Sequence, residues 1–406
     1  MEIRFAKEKW SVCSREVCNA AELQGECAVL KKESASAMIL HTTLPVAAGK
    51  SYRLRIPCEP DGCNYAQAPY AMLSWFDGDG NGMLRKYLDS GDGERLMAFS
   101  MPEGCAAVRL ELGLKGTGTV RWGVPVLEEV PPAMHRKAKI AALMVLESRE
   151  REEALGKIAQ AVMAAGEAGA DLALLAEAIY DYGCGLSVQE SAETMDGSYA
   201  VRMRELARKY GMYIAFNFHE RDEANRCYNT SVLLDRHGET VGKYRKTHIS
   251  HREFENGITA GDTFAVFETD FAKVGMLICW DAYFPEPARV LSGMGAELLL
   301  ISTVGDPAVR HIARAEENGI FVAVAGLQYN NAYGIYPSKI IDPCGNVLAM
   351  TKEDGKPAIC EIDFDEQKAI PWLSVGAPGI PGNIYRNERR ADLYGNLTER
   401  KRAEKF

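Results

Sequence analysis

The 406-residue chain sets 56 Asp and Glu against 47 Lys and Arg for a net charge of -9, with 47% hydrophobic, 25% charged and 9% aromatic residues. That balance is globular and excludes a disordered, collagen-like or disulfide-scaffold chain. The acidic surplus leaves no cations to spare for phosphates, so no nucleic-acid partner is expected.

The first ten residues are interrupted by charges every few positions and lack the apolar region of a secretory signal. The longest apolar runs, such as 172–176 and 298–301, are far shorter than the roughly 20 residues that cross a bilayer. Eleven cysteines with no Cys-x-x-Cys pair read as free thiols in a reducing compartment. The expected location is the cytoplasm, with no membrane partner.

Between about 37 and 128, short alternating apolar runs at 51–56, 70–76, 96–100, 107–112 and 119–127 are separated by Gly- and Asp-rich turns. Strands at that spacing without helices between them predict an antiparallel β-sandwich of the jelly-roll kind over 1–130. Its aromatics, Tyr65, Tyr70, Trp75, Phe76, Tyr87 and Trp122, read as core, with saccharide or peptide binding as the other use. Asp77-Gly-Asp79-Gly-Asn81-Gly82 copies half of a calcium loop, but Leu88 stands at the acidic twelfth position, so a hairpin turn is expected. No metal site is expected, because the seven histidines form no zinc signature. Pro131-Pro132 opens a linker over 131–138.

Strands and helices then alternate. Apolar runs at 140–146 and 172–176 flank a helical pattern at 149–166, and a second helical pattern ends near Tyr210. A strand at 212–218 and a hairpin of 230–234 with 240–244 follow. The order then repeats, with strands at 274–279, 298–301 and 321–325, helices at 286–292 and 308–318, and a closing hairpin of 339–341 with 347–350. Two such halves predict two sheets stacked face to face with helices outside, a four-layer α-β-β-α sandwich. This domain is expected over 139–395, leaving a tail at 396–406.

Three residues carry candidate chemistry. Cys279 ends an apolar strand just before a turn and a proline-started helix, where unpaired backbone N–H groups favour a thiolate. Glu177 follows Leu174-Leu175-Ala176 at the carboxyl end of another buried strand, where open α/β sheets place their sites. Lys246 lies in the basic stretch Gly242-Lys-Tyr-Arg-Lys246-Thr-His-Ile249. Taken alone, Cys279 reads as well as a buried structural cysteine, while Glu177 and Lys246 read better as surface or solvated residues.

Taken in order, Glu177, Lys246 in Tyr-Arg-Lys246-Thr-His, and Cys279-Trp280-Asp281 with Phe284-Pro285-Glu286 behind it resemble the nitrilase superfamily of carbon-nitrogen hydrolases. Arg314-Ala-Glu-Glu-Asn318, Ser338-Lys-Ile-Ile-Asp-Pro343-Cys-Gly345 and Arg389-Arg390-Ala-Asp-Leu-Tyr394 support the resemblance, which spans about 139–394. The chain departs from it at Ala176, where the family commonly has proline. The resemblance implies the α-β-β-α fold, a homo-oligomer, no cofactor, and a Glu-Lys-Cys triad that cleaves a non-peptide C–N bond of a small linear amide. In that scheme Cys279 is the nucleophile, Glu177 the acid and base, and Lys246 with the backbone N–H of Trp280 the oxyanion partner. A second family glutamate falls on Glu255 or Glu253, with Glu255 favoured by its distance to Gly261.

Tyr182, Trp280 and Tyr283 are the expected substrate-lining residues, with Tyr180 and Tyr329 nearby. The motif Cys279-Trp280-Asp281 mixes nitrile- and amide-hydrolyser patterns, so an amidase is expected first. A nitrilase, an N-carbamoyl amino acid hydrolase and a catalytically silent ligand-binding protein stand as alternatives.

Overall fold

The computed structural model describes the chain except residues 7, 15–19, 35, 37, 66–67, 306–307, 329–335, 367, 372, 374–376 and 399–406. Its contacts divide the chain into two compact units, Met1–Met134 with the segment from Lys368 onward, and His135–Gln367. The sequence places the end of the second domain at 395. Here the segment around 369–388 instead packs with the first unit, where Ala369 and Ile380 join its core and Ile384 joins Tyr70, Met72 and Tyr87. Asn383 fixes that segment: the Tyr87 N–H donates to its Oδ1 (2.7 Å), and its Nδ2 donates to Tyr87 O (2.8 Å).

The first unit is an antiparallel β-sandwich. Among the described residues, one sheet runs in the order Ser11–Ser14, Met38–Thr43, Cys105–Leu114, Pro69–Asp77, Gly82–Tyr87. The other runs Ala20–Leu23, Cys27–Lys32, Gly118–Gly123, Ser51–Asp61, Glu94–Ser100, Asp89–Gly91, and Val126–Val130 also pairs with Ser51–Asp61. Alternation decides the faces: in Ser51–Asp61, Leu54, Ile56 and Cys58 are buried while Arg53, Arg55 and Pro57 are exposed. Trp75 and Trp122 are fully buried and Tyr70 and Tyr87 nearly so, which makes these four aromatics core residues. The Asp77 loop closes the hairpin of Pro69–Asp77 with Gly82–Tyr87, and Asp77 Oδ1 accepts the N–H groups of Asp79 (3.0 Å) and Asn81 (2.8 Å). That carboxylate is used by the turn itself.

The second unit is the expected α-β-β-α sandwich. Its first sheet runs Thr240–Arg245, Cys227–Leu234, Tyr213–Arg221, Leu172–Leu174, Lys137–Ala142, Ala358–Asp363. Its second runs Val266–Glu268, Lys273–Ile278, Leu298–Ser302, Phe321–Ala325, Ser338–Ile341, Val347–Thr351. In each sheet three successive strands are parallel, joined by crossover helices on the outer face, and the flanking pairs are antiparallel. Helix Arg151–Glu167 turns Ala154, Ile158, Ala161, Val162 and Ala165 inward, the spacing of one helical face. Helix Ser198–Tyr210 stops at Gly211, whose φ of 59° suits a residue without Cβ. Between the sheets the side chains form one apolar core, and Ser302 Oγ reaches across it to donate to Leu175 O (2.8 Å). This bond ties the end of one central strand to the turn that precedes Glu177.

Candidate active site

The carboxyl ends of three strands, one of them the edge strand of its sheet, carry the candidate residues to one place. Glu177 follows the strand Leu172–Leu174, Lys246 follows Thr240–Arg245, and Cys279 follows Lys273–Ile278. Together with Glu253 they line a cleft of about 1040 Å³. Backbone strain marks Cys279 (φ 40°) and Ala178 (φ 48°), the residue after Glu177, which adopt the left-handed conformation without being glycine.

Lys246 is the hub, with 2% of its surface exposed. Its ammonium donates to Glu177 Oε1 (2.8 Å) and to both oxygens of Glu253 (2.8 and 2.9 Å). Burial opposes its charge, but the Glu177, Cys279 and Glu253 groups outweigh that and raise its pKa above the usual lysine range. Glu253 also resists burial: the Lys246 ammonium, the Ser250 backbone and the Asn229 amide hold its carboxyl below the ordinary range.

The partner of Lys246 differs from the sequence expectation, which favoured Glu255. Glu255 is exposed and faces His251 (3.2 Å). Glu253 is selected by the short helix His251–Glu255, whose N-cap Ser250 forms a capping box: its Oγ accepts the Glu253 N–H (3.3 Å) while Glu253 Oε2 accepts the Ser250 N–H (2.8 Å). The signal Ser-x-x-Glu was present in the sequence.

Two buried asparagines were also missed. Asn229 Nδ2 is within 2.9 Å of both Glu177 Oε1 and Glu253 Oε1. Asn217 Nδ2 in turn donates to Asn229 Oδ1 (2.9 Å), and Asn217 Oδ1 accepts the Ala178 N–H (2.7 Å). They lie on strands buried at nearly every position, where an amide side chain must find partners, and that anomaly was the available clue.

Asp281 pins the nucleophile turn from beneath. Completely buried, it accepts the N–H groups of Ile278 (3.0 Å) and His248 (2.9 Å) and the Tyr244 hydroxyl (2.8 Å), joining the turn Cys279–Tyr283 to the loop after Lys246. Arg314 supports the same turn through Ala282 O (3.2 Å).

The Cys279 thiol departs from the expected thiolate. Burial and the Glu177 carboxylate push it up to about 12, against the pull of the Lys246 ammonium and of hydrogen bonds from Thr303 and the Val304 N–H. Near neutral pH the sulfur therefore keeps its proton.

Tyr182 and Trp280 line the cleft, Trp280 being 37% exposed. Tyr283 does not: its ring lies 4.4 Å from that of Trp280, with the Arg310 guanidinium 4.1 Å from its centroid. Tyr180 is buried, its hydroxyl against Ser198 (2.8 Å), and Tyr329 lies outside the described residues. No group of three or more His, Cys, Asp or Glu among the described residues is gathered as metal ligands would be.

The family model for carbon-nitrogen hydrolases matches residues 140–371. A protein of Pseudomonas protegens described as "Hydrolase in pqqF 5'region" is 34% identical over 262 residues, covering 61% of this chain and 86% of that one. The citrullinase of Francisella tularensis is 36% identical over 176 residues, covering 41% of this chain and 60% of its own. Omega-amidase NIT2 of Xenopus tropicalis is 29% identical over 280 residues, covering 64% and 97%. Among solved structures, the amidase from Nesterenkonia sp. AN1 is similar at 25% identity and a TM-score of 0.52, covering 65% of this chain and all of that one.

Proposed function

Since this chain belongs to the carbon-nitrogen hydrolase family, we propose that it is a thiol amidase that releases ammonia or an amine from a small linear amide through a thioester on Cys279. The observation that carries this reading is the buried Lys246 ammonium, bonded to two carboxylates and facing the same cleft as a cysteine on a strained strand-end turn. Such a group offers fixed positive charge to an oxygen that becomes negative during acyl transfer.

In the first half-reaction the sulfur forms a bond to the amide carbonyl carbon as Glu177 takes the thiol proton. The protonated Glu177 then gives that proton to the departing nitrogen as the C–N bond breaks. Water enters next, and its proton goes to Glu177 as its oxygen attacks the thioester. The C–S bond breaks and the proton returns to sulfur. Lys246 opposes the charge on the carbonyl oxygen in both steps, a contribution worth about 2.7 to 4 kcal/mol for a donor of this kind. Glu253 and Asn229 hold Lys246 and Glu177 in register. With the thiol raised to about 12, proton removal accompanies attack rather than preceding it.

A second reading, hydrolysis of a carbamoyl C–N bond, is favoured by the similarity to a citrullinase. Ammonia release from short aliphatic amides, ω-amides of dicarboxylic acids, carbamoyl amino acids and nitriles, run beside Cys279→Ala, tests both. Release lost in the variant supports the thiol hydrolase, and the best substrate separates the readings. Release that survives the substitution removes Cys279 from the reaction.

A further inference from the structure

The two oxygens of Glu177 are not equivalent. Oε1 accepts from the Lys246 ammonium (2.8 Å) and from the Asn229 amide (2.9 Å), which fills its lone pairs. Among the described residues, Oε2 accepts from the Val304 backbone N–H alone, at 3.2 Å. Oε2 is therefore the oxygen with room for a proton.

The strand that leads to Val304 sets that N–H between two reacting groups. Lys273–Ile278 pairs in parallel with Leu298–Ser302, and Ile278 stands opposite Ser302, so Cys279 and Thr303 leave the sheet side by side. The N–H of Val304, a residue of the cleft wall, then serves Glu177 Oε2 and the Cys279 sulfur. Thr303, only 1% exposed, braces the turn: its Oγ1 accepts the Gly305 N–H (3.0 Å) and donates to Gly305 O (2.6 Å), a clasp across Val304. On the other side, Ser302 Oγ ties the strand end to Leu175 O.

Resting on the amidase reading of this cleft, we propose that the turn Thr303-Val304-Gly305 belongs to the catalytic machinery: the Val304 N–H serves Glu177 Oε2 and the Cys279 sulfur in alternation, and Thr303 is the positioning residue that aims it. While Glu177 is ionised, the N–H stays on Oε2. As a sulfur electron pair forms the S–C bond and the carbonyl pair moves onto oxygen, the thiol proton passes to Oε2. That oxygen is then a neutral hydroxyl and a weaker acceptor, so the N–H turns to sulfur. In the second half-reaction the C–S bond breaks with its electron pair on sulfur, and the same N–H opposes that charge until Glu177 returns the proton.

The test removes the clasp and restores it. Thr303→Val keeps the shape and loses the hydroxyl, whereas Thr303→Ser keeps the hydroxyl. Two rates are read: turnover of the best amide, and alkylation of Cys279 by iodoacetamide, followed by mass spectrometry of the peptide that carries it. Thr303→Val is expected to lower kcat about tenfold or more with KM within about twofold, and to slow alkylation by a similar factor. Thr303→Ser brings both rates back to within about threefold of wild type. Alkylation at the wild-type rate in Thr303→Val overturns the proposal, even where the melting midpoint falls, because Thr303 is then structural alone. A Thr303→Ser protein as slow as Thr303→Val overturns it too, since packing and not the hydroxyl would be at work. If Thr303→Val does not fold, Thr303→Ala makes the same comparison. Alkylation needs no substrate, which keeps the two levels apart. Slowed alkylation in the variant, with no amide turned over by the wild type, refutes the amidase reading alone; turnover with unslowed alkylation refutes the role of the turn alone.

Discussion

Glu253 and Glu255 are two residues apart and chemically alike, and only one of them touches Lys246. Glu253→Gln is expected to lower kcat/KM by about a hundredfold, because it removes a charge that holds a catalytic ammonium in place. Glu255→Gln stays within about twofold, and steady-state kinetics on one amide decides between them. The distance to Gly261 misled because a short helix intervenes, and helical geometry makes the N3 position after Ser250 the one that faces back to the cap. The thiol offers a second check. Removing the Glu177 charge takes away one of the causes that raise Cys279 and leaves the Lys246 pull, so Glu177→Gln lowers the thiol pKa from about 12 while abolishing turnover. Thiolate ultraviolet absorbance against pH reads this directly; an unchanged or higher titration would separate Glu177 from the sulfur. The sign for stability follows from the same shift. With the folded value near 12 and the ordinary one at 9.0, the native state holds a proton that the unfolded chain releases, so stability falls as pH rises across that window. Cys279→Ala loses this part of the slope, seen in urea midpoints measured at several pH values.

At the scale of elements, strands that end in chemistry were legible because their apolar runs are continuous and are followed by an ionisable residue: Leu172–Leu174 before Glu177 and Lys273–Ile278 before Cys279. The braces between elements were not, since they join residues far apart in the chain. Asp281 shows the difference. Its motif was visible, but its service to His248, Tyr244 and Ile278 depends on two strands and a loop meeting in space. Either carboxylate oxygen replaced by an amide NH₂ would face a donor, so Asp281→Asn is expected to cost about 1–3 kcal/mol, read from the denaturant midpoint. Turnover falls further than stability explains, because the turn under Cys279 and the loop after Lys246 lose their common anchor. Asn217 and Asn229 escaped the sequence reading for the same reason: a buried amide announces a partner without naming it.

For the whole molecule, the two architectures were readable from strand spacing alone, with short alternating runs for the sandwich and strand-helix alternation for the layered unit. The allocation of the chain's later part was not. The motif Arg389–Tyr394 groups the chain up to 395 with the hydrolase, whereas Ile384, with Leu373 and Tyr385, packs against Tyr70, Met72 and Tyr87 of the sandwich. Each unit has its own apolar core, so heating is expected to give two transitions. Asp281→Asn should lower one of them, and Trp75→Ala, which empties a fully buried site in the sandwich, the other, with differential scanning calorimetry as the readout. A single transition shifted by both changes would show that the cores unfold together. The split sandwich also bears on order in time. A ribosome emits the layered unit whole, from His135 to Gln367, before it emits Asn383, whose side chain closes onto the backbone of Tyr87. The layered unit can thus mature during synthesis, while residues 1–134 must wait for the later segment that carries Asn383.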